Sequence, residues 1–149
     1  MTSENRNAGD EAIACWRAGL FCAESVALAL ARRQGIETPL LPAMASGFCG
    51  GMGHTAGTCG AVTGAVMGLG LAFGRKGPRE STEPVYRAVA SLVRRFTEEF
   101  GATGCCELIG CDLATPEGQR RFREAGLHRR CEVFTRRAAE LAGELIDAG

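Results

Sequence analysis

Cysteine is the residue type in this 149-residue chain that most plainly carries chemistry, and there are eight: Cys15, Cys22, Cys49, Cys59, Cys105, Cys106, Cys111 and Cys131. A thiolate is a nucleophile and a soft metal ligand, so a set of cysteines can hold a metal, build an iron–sulfur cluster or cycle between dithiol and disulfide. The opening stretch, MTSENRNAGDEAIA, is polar and has no basic segment leading into an apolar run. No secretory signal is read from it, and a cytoplasmic, reducing location is expected. In such a compartment many cysteines point to metal or redox chemistry more than to a disulfide scaffold. Buried structural cysteine, a small hydrophobe, explains any one of them more easily than all eight.

The other signals are weaker. Seventeen basic and seventeen acidic residues leave no net charge, so no nucleic-acid footprint is expected. Lys76 is the single lysine among them, a composition bias from which no mechanism is drawn. Gly50-Gly51-Met52-Gly53 resembles a phosphate cradle, but no P-loop Lys-Ser/Thr follows it. These glycines read instead as a tight turn that lets backbone approach sulfur, which makes Gly50, Gly51 and Gly60 candidates for contact with a cofactor. His54 and His128 are candidate metal ligands, though a lone loop histidine is more often just solvated. No Ser–His–Asp spacing or pair of acids suited to hydrolysis stands out.

The elements that must position these residues read as helices. Ala, Leu, Arg and Glu dominate, and no segment alternates with period two, so an all-α, single-domain bundle is expected with no sheet. Residues 1–9 read as a disordered tail and 10–149 as the helical domain. Asp10 is the expected cap of a first helix that ends at Gly19, and a second helix is expected over Cys22–Gln34. A short helix over LLPAMASGF leads into a glycine-rich loop, Gly47 to Gly57. Thr58 to Gly74 carries no charge and is apolar all round, as a buried central helix or a membrane span would be. Its seventeen residues are at the short limit for spanning, so the buried reading is preferred and a membrane partner is not expected. Gly60, Gly64 and Gly68 form a flat strip where another backbone can come close, which leaves a homodimer open.

Further along, Ser81 or Thr82 caps a helix to about Phe100, with an apolar stripe of Val85, Val89, Leu92, Val93 and Phe96. CCELIG forms a short turn, and Asp112 caps locally. Thr115-Pro116-Glu117 starts a helix to Gly126. A last helix covers about Arg130 to Ala148, with Val133, Ala138, Leu141, Leu145 and Ile146 inward. Trp16 and Phe21 are expected in the core. On this map Cys22, Cys59, Cys105 and Cys131 all fall at helix N-termini, whose partial positive charge is expected to lower a thiol's pKa.

Four stretches carry a resemblance: GLFCAESV around Cys22, GFCGGMGHTAGTCGAVTGAVMGLGL around Cys59, GCCELIGCDLATPEG around Cys105, and CEVFTRRAAEL from Cys131. Through them the chain resembles a family of redox-active proteins named for a C-GCAxxG-C-C cysteine pattern, over roughly residues 12–142. Cys59-Gly60-Ala61-Val62-Thr63-Gly64 matches the family's CGAxxG form and is the most specific stretch. The resemblance implies that the four recurring cysteines are Cys22, Cys59, Cys105 and Cys131, and that they serve redox chemistry. Position 49 is usually glycine in such proteins and is Cys49 here; Cys15, Cys106 and Cys111 are also extras. A domain of this kind is similar to part of the split-Soret cytochromes, but no C-x-x-C-H is present, so covalent haem is not expected.

The favoured expectation is electron transfer through an iron–sulfur cluster held by those four thiolates and served by an unidentified redox partner. Backbone N–H groups of the 47–57 loop would then hydrogen-bond the cluster and raise its potential. The alternative is a thiol–disulfide oxidoreductase or redox sensor cycling a cysteine pair without metal, the vicinal Cys105–Cys106 included. A zinc or copper site fits no zinc-finger spacing, and a helical interaction module leaves the cysteine positions unexplained.

Overall fold

The computed structural model describes residues 6–149, and among them every regular element is helical. Helix α1 (Ala8–Arg17) starts earlier than expected. Asn7 is its cap: the side chain accepts from the N–H of Asp10 at 2.8 Å, and the Asp10 carboxylate accepts from the N–H of Asn7 at 3.4 Å. Asp10 is therefore the reciprocal partner in a capping box rather than the cap itself. Of the expected disordered tail, residues 1–5 lie outside the described residues.

Helix α2 (Cys22–Arg33) follows, then the single-turn α3 (Ala43–Ser46) and α4 (Cys49–His54). Where a glycine loop is expected, α4 is a left-handed turn: φ is +67° at Gly50, +70° at Gly51, +64° at Met52 and +64° at Gly53. Glycine accepts this region freely, whereas Met52 and His54 (φ +65°) each carry a cost of about 1–2 kcal/mol. The apolar segment becomes α5 (Gly60–Phe73), and α6 (Glu83–Phe100), α7 (Cys105–Ile109), α8 (Pro116–Glu124) and α9 (His128–Ala148) complete the chain. No helix among the described residues is long and apolar enough to cross a membrane.

Helix α5 is central, packed by α2, α6 and α9, while α1 closes the bundle against α2 and α9. The glycine strip is spent inside the chain. A Cβ at Gly64 would lie 2.6 Å from the carbonyl oxygen and 3.0 Å from the Cα of Ala23 on α2, and one at Gly68 would collide with Leu30. The strip is therefore covered by α2 and offers no surface to a second copy. The far end of α5 is open, with Leu71 42% exposed, so the helix is not buried on every side as its composition suggests.

Phe96 and Phe100 of α6 pack on Phe134 of α9 with ring centroids 6.1 and 5.0 Å away, and on each other at 4.8 Å, contacts worth about 0.5–1.5 kcal/mol each beyond burial. Ion pairs bind α9 outward: Arg136 to Asp10 at 2.7 Å, Arg137 to Glu99 at 2.8 Å and Arg95 to Glu144 at 2.6 Å. Three apolar residues depart from expectation. Val133 is 55% exposed because Phe134, Ala138 and Leu141 set the inward face of α9, one position round the helix. Val93 lies at the solvent edge of the α6 stripe. Phe21 is 62% exposed: it precedes the first turn of α2 and sets its ring edge-on to Trp16, centroids 6.2 Å apart.

The strip yields a paired prediction. Gly64→Ala destabilises the protein by about 1–3 kcal/mol in urea denaturation, because the new methyl meets α2 backbone. Gly70→Ala, on the same helix with open space around it, stabilises by about 0.5–1 kcal/mol. Equal effects would mean that α2 and α5 do not meet at this register.

Candidate cysteine cleft

All four expected cysteines sit at helix starts. Cys22 is the first residue of α2, Cys59 caps α5, Cys105 is the first residue of α7, and Cys131 is the fourth of α9. They line one cleft of about 500 Å³, whose wall is otherwise mostly apolar, with Trp16, Phe21, Leu108, Phe122 and Phe134 among its residues. Gln119 and Arg123 of α8 and His54 of α4 supply polar groups to it.

A single backbone device aligns two of the sulfurs. Thr58 and Gly104 form an antiparallel bridge in which the N–H of Cys59 donates to the carbonyl of Thr103 at 2.7 Å, and the N–H of Cys105 donates to the carbonyl of Gly57 at 2.9 Å. Each cysteine is thus the residue just past the bridge, and α5 and α7 start side by side. The left-handed turn is tied to the same bridge, since Gly57 N–H donates to the Gly51 carbonyl at 2.9 Å. Gly51 lies against Cys105, where a Cβ would stand 2.5 Å from Cys105 Cβ and 3.2 Å from its Sγ. Gly60 lies against Cys22, whose Sγ fills the place a side chain there would need. Gly51 and Gly60 therefore do bring backbone to sulfur. Gly50 also lines the cleft, and the atoms nearest a Cβ there are those of the His54 ring. Cys131 is carried in by α9, which is fastened to α7 by Arg130 donating to the carbonyl of Ile109 at 3.1 Å.

The electrostatics reverse one expectation. A helix start is expected to lower a thiol's pKa, but at Cys59, Cys105 and Cys131 burial outweighs it. Cys59 is pushed up from 9.0 to about 11 by burial, against the pull of the Ala61 and Val62 N–H groups and with a further push from Cys105. Cys105 reaches about 11, through burial first and then Cys111, Cys106 and the acids Asp112 and Glu107. Cys131 reaches about 12, through burial first and then Cys59, Cys105 and Cys111. Three of the four sulfurs thus share one electrostatic neighbourhood, in which each thiolate disfavours the others.

Cys49 is a fifth cysteine of the cleft. Its thiol donates to Glu24 Oε1 at 3.6 Å and to the Ala45 carbonyl at 3.8 Å, and is pushed strongly up, first by the neighbouring Cys22 thiol and then by burial. Its place within the glycine stretch that borders the site was the signal for it. Cys111 and Cys106 flank Cys105 outside the cleft lining. Cys15 lies apart, buried, with Arg32 donating to its sulfur at 3.6 Å. His128 is exposed and away from the cleft. Asp112 caps locally as expected, its carboxylate accepting from Ala114 N–H at 2.9 Å. All eight thiols are free, and among the described residues no three His, Cys, Asp or Glu side chains stand close enough to grip one metal ion.

An all-helical bundle that gathers cysteines from four separated helix starts into one apolar cleft defines a cysteine-centred protein class. The chain belongs to the family described as "Putative redox-active protein (C_GCAxxG_C_C)", whose model matches residues 20–145. It is also similar to an uncharacterized protein of Archaeoglobus fulgidus, 31% identical over 113 residues that span 69% of this chain and 75% of the relative. No solved structure matches it.

The raised thiols predict a pH dependence of the reduced, metal-free protein. A thiol whose pKa rises on folding adds stability that is complete below its unfolded value near 9.0 and is lost as pH climbs through the folded values of about 11 and about 12. Urea midpoints therefore hold steady below about pH 8 and fall between about pH 9 and 12. Cys59→Ser flattens that fall. A midpoint unchanged across the window would mean that these thiols are not buried.

Proposed function

We propose that this protein transfers electrons through an iron–sulfur cluster held by Cys22, Cys59, Cys105 and Cys131. The observation that carries the reading is the convergence of those four thiols on one apolar cleft. Cys59, Cys105 and Cys131 there disfavour one another's ionisation, on top of the burial penalty. Buried thiols of this kind become thiolates together only when cationic charge lies among them, because each negative charge would otherwise face low dielectric and its neighbours. Cys22, Cys59, Cys105 and Cys131 would hold the iron, which would supply that charge when bound.

The donor set suits a cluster better than a single ion. Zinc needs its ligands at bonding distance from one point, whereas in a four-iron cluster each iron takes its own thiolate. When bound, such a cluster supplies one-electron transfer at a potential set by burial and by hydrogen bonds to its sulfurs. The chain's part is to hold the thiols, through the Thr58–Gly104 bridge and the α2–α5 contact, and to keep water away with Leu108, Phe122 and Phe134. High thiol pKa values weigh against a nucleophilic role for Cys59, Cys105 and Cys131 at neutral pH, since the thiolate is the reactive form. A reducing compartment and a redox partner that docks at the cleft complete the reading.

Purified without oxygen, the protein is expected to be brown and to contain iron and acid-labile sulfide. Cys59→Ser is expected to abolish the colour and the iron, and Cys106→Ser to retain both. A colourless, iron-free wild-type protein would overturn the reading, and equal loss in both variants would overturn the choice of ligands.

A further inference from the structure

We propose that Cys22 and Cys49 form a reversible dithiol–disulfide couple that shares Cys22 with the cluster ligands and exchanges with disulfide substrates entering the apolar cleft. The two sulfurs are neighbours at the start of α2. Cys22 opens that helix, and its Sγ packs against Gly60, where the Phe48 carbonyl also lies within 3.0 Å of the position a Cβ would take. Phe48 leads directly into Cys49, so the chain entering the left-handed turn is held beside the Cys22 sulfur. Cys49 reaches the same helix start from the other side, its Sγ 3.6 Å from Oε1 of Glu24.

Glu24 is fixed in place. Its Oε1 accepts from the N–H of Phe21 at 2.9 Å, and its Oε2 accepts from the Ser46 hydroxyl at 2.9 Å. One carboxylate thus ties α2 to α3 and touches the Cys49 thiol. Both sulfurs line the cleft, whose apolar wall carries the Trp16–Phe21 ring pair. That surface suits a disulfide with an apolar body more than a charged one. Cys59, Cys105 and Cys131 line the same cleft.

The exchange balances without a further reactant. Cys22 sulfur attacks one sulfur of a substrate disulfide, a Cys22–substrate bond forms, and the first substrate thiol departs with one proton. Cys49 then attacks Cys22 sulfur, and the second substrate thiol departs with the proton that Cys49 gives up. The substrate disulfide has gained two electrons and two protons, and Cys22 and Cys49 are joined. Excess thiol reverses both steps.

The couple goes beyond the cluster reading and can be tested apart from it. Cys22 cannot bind iron while joined to Cys49, so the oxidised pair belongs to a chain without a complete ligand set. The protein as isolated without oxygen is equilibrated in buffers of reduced and oxidised glutathione. Free thiols are counted, disulfide-linked peptides are mapped by mass spectrometry, and iron is measured on the same samples. The wild-type chain, after a chelator has removed bound iron, is expected to lose two of its eight thiols in one step, with Cys22 and Cys49 recovered in a single linked peptide pair. Cys49→Ser and Cys49→Ala are expected to lose that step and, when reduced, to match the iron content of wild type. The proposal is overturned if Cys22 and Cys49 stay free in fully oxidised glutathione or link to other cysteines. It is equally overturned if the Cys49 variants lose iron, which would make Cys49 a ligand. An iron-free wild type that still forms the Cys22–Cys49 link would sink the cluster reading and leave the couple standing.

Discussion

Two backbones meet where α5 crosses the first turns of α2, and much of the molecule follows from that contact. Gly60 and Gly64 have no side chain to hold the helices apart, so α5 lies directly on Ala23. Such an approach is open only to glycine: any Cβ at these positions would overlap backbone or sulfur. The same contact that packs the core puts the Cys22 sulfur against the residue following Cys59. Core packing and site assembly are here one interaction, and the cleft cannot be loosened without disturbing the centre of the bundle.

The second constraint is small in extent. Two hydrogen bonds across Thr58 and Gly104 set α5 and α7 side by side, and the left-handed turn at Gly50–Gly53 folds back so that Gly51 can lie on Cys105. That turn makes Met52 and His54 adopt a conformation that side chains rarely take. Local strain of this kind persists only where the surroundings over-determine it, and here the surroundings are the walls of the cleft.

Burial and helix position compete at Cys59. A helix start offers partial positive charge and free N–H groups, and Cys59 has two of them aimed at it, from Ala61 and Val62. Desolvation still wins, because thiolates in an apolar cleft lose water that two N–H groups cannot replace. Cys59, Cys105 and Cys131 are therefore all pushed toward the thiol form. Membership in the C_GCAxxG_C_C family gives the redox character of the chain. The arrangement of charge and burial is what the proposed cluster rests on.

The helices were legible in the sequence because their signals are local. Thr115-Pro116 starts α8, Gly101 and Gly110 end α6 and α7 in the left-handed conformation, and charge-free Thr58–Gly74 could only be an interior helix or a span. The placement of Cys22, Cys59, Cys105 and Cys131 at helix starts was legible too, since the residue that opens a helix is a local matter. What sequence could not give is anything decided by a partner distant in the chain. Whether the glycine strip faces α2 or a second molecule, whether Phe21 and Val133 turn in or out, and which sulfur neighbours Cys49 all depend on packing between elements. The direction of the thiol pKa shifts belongs to the same group: helix position can be read one residue at a time, but desolvation is a property of everything around the atom, and only the assembled bundle sets it.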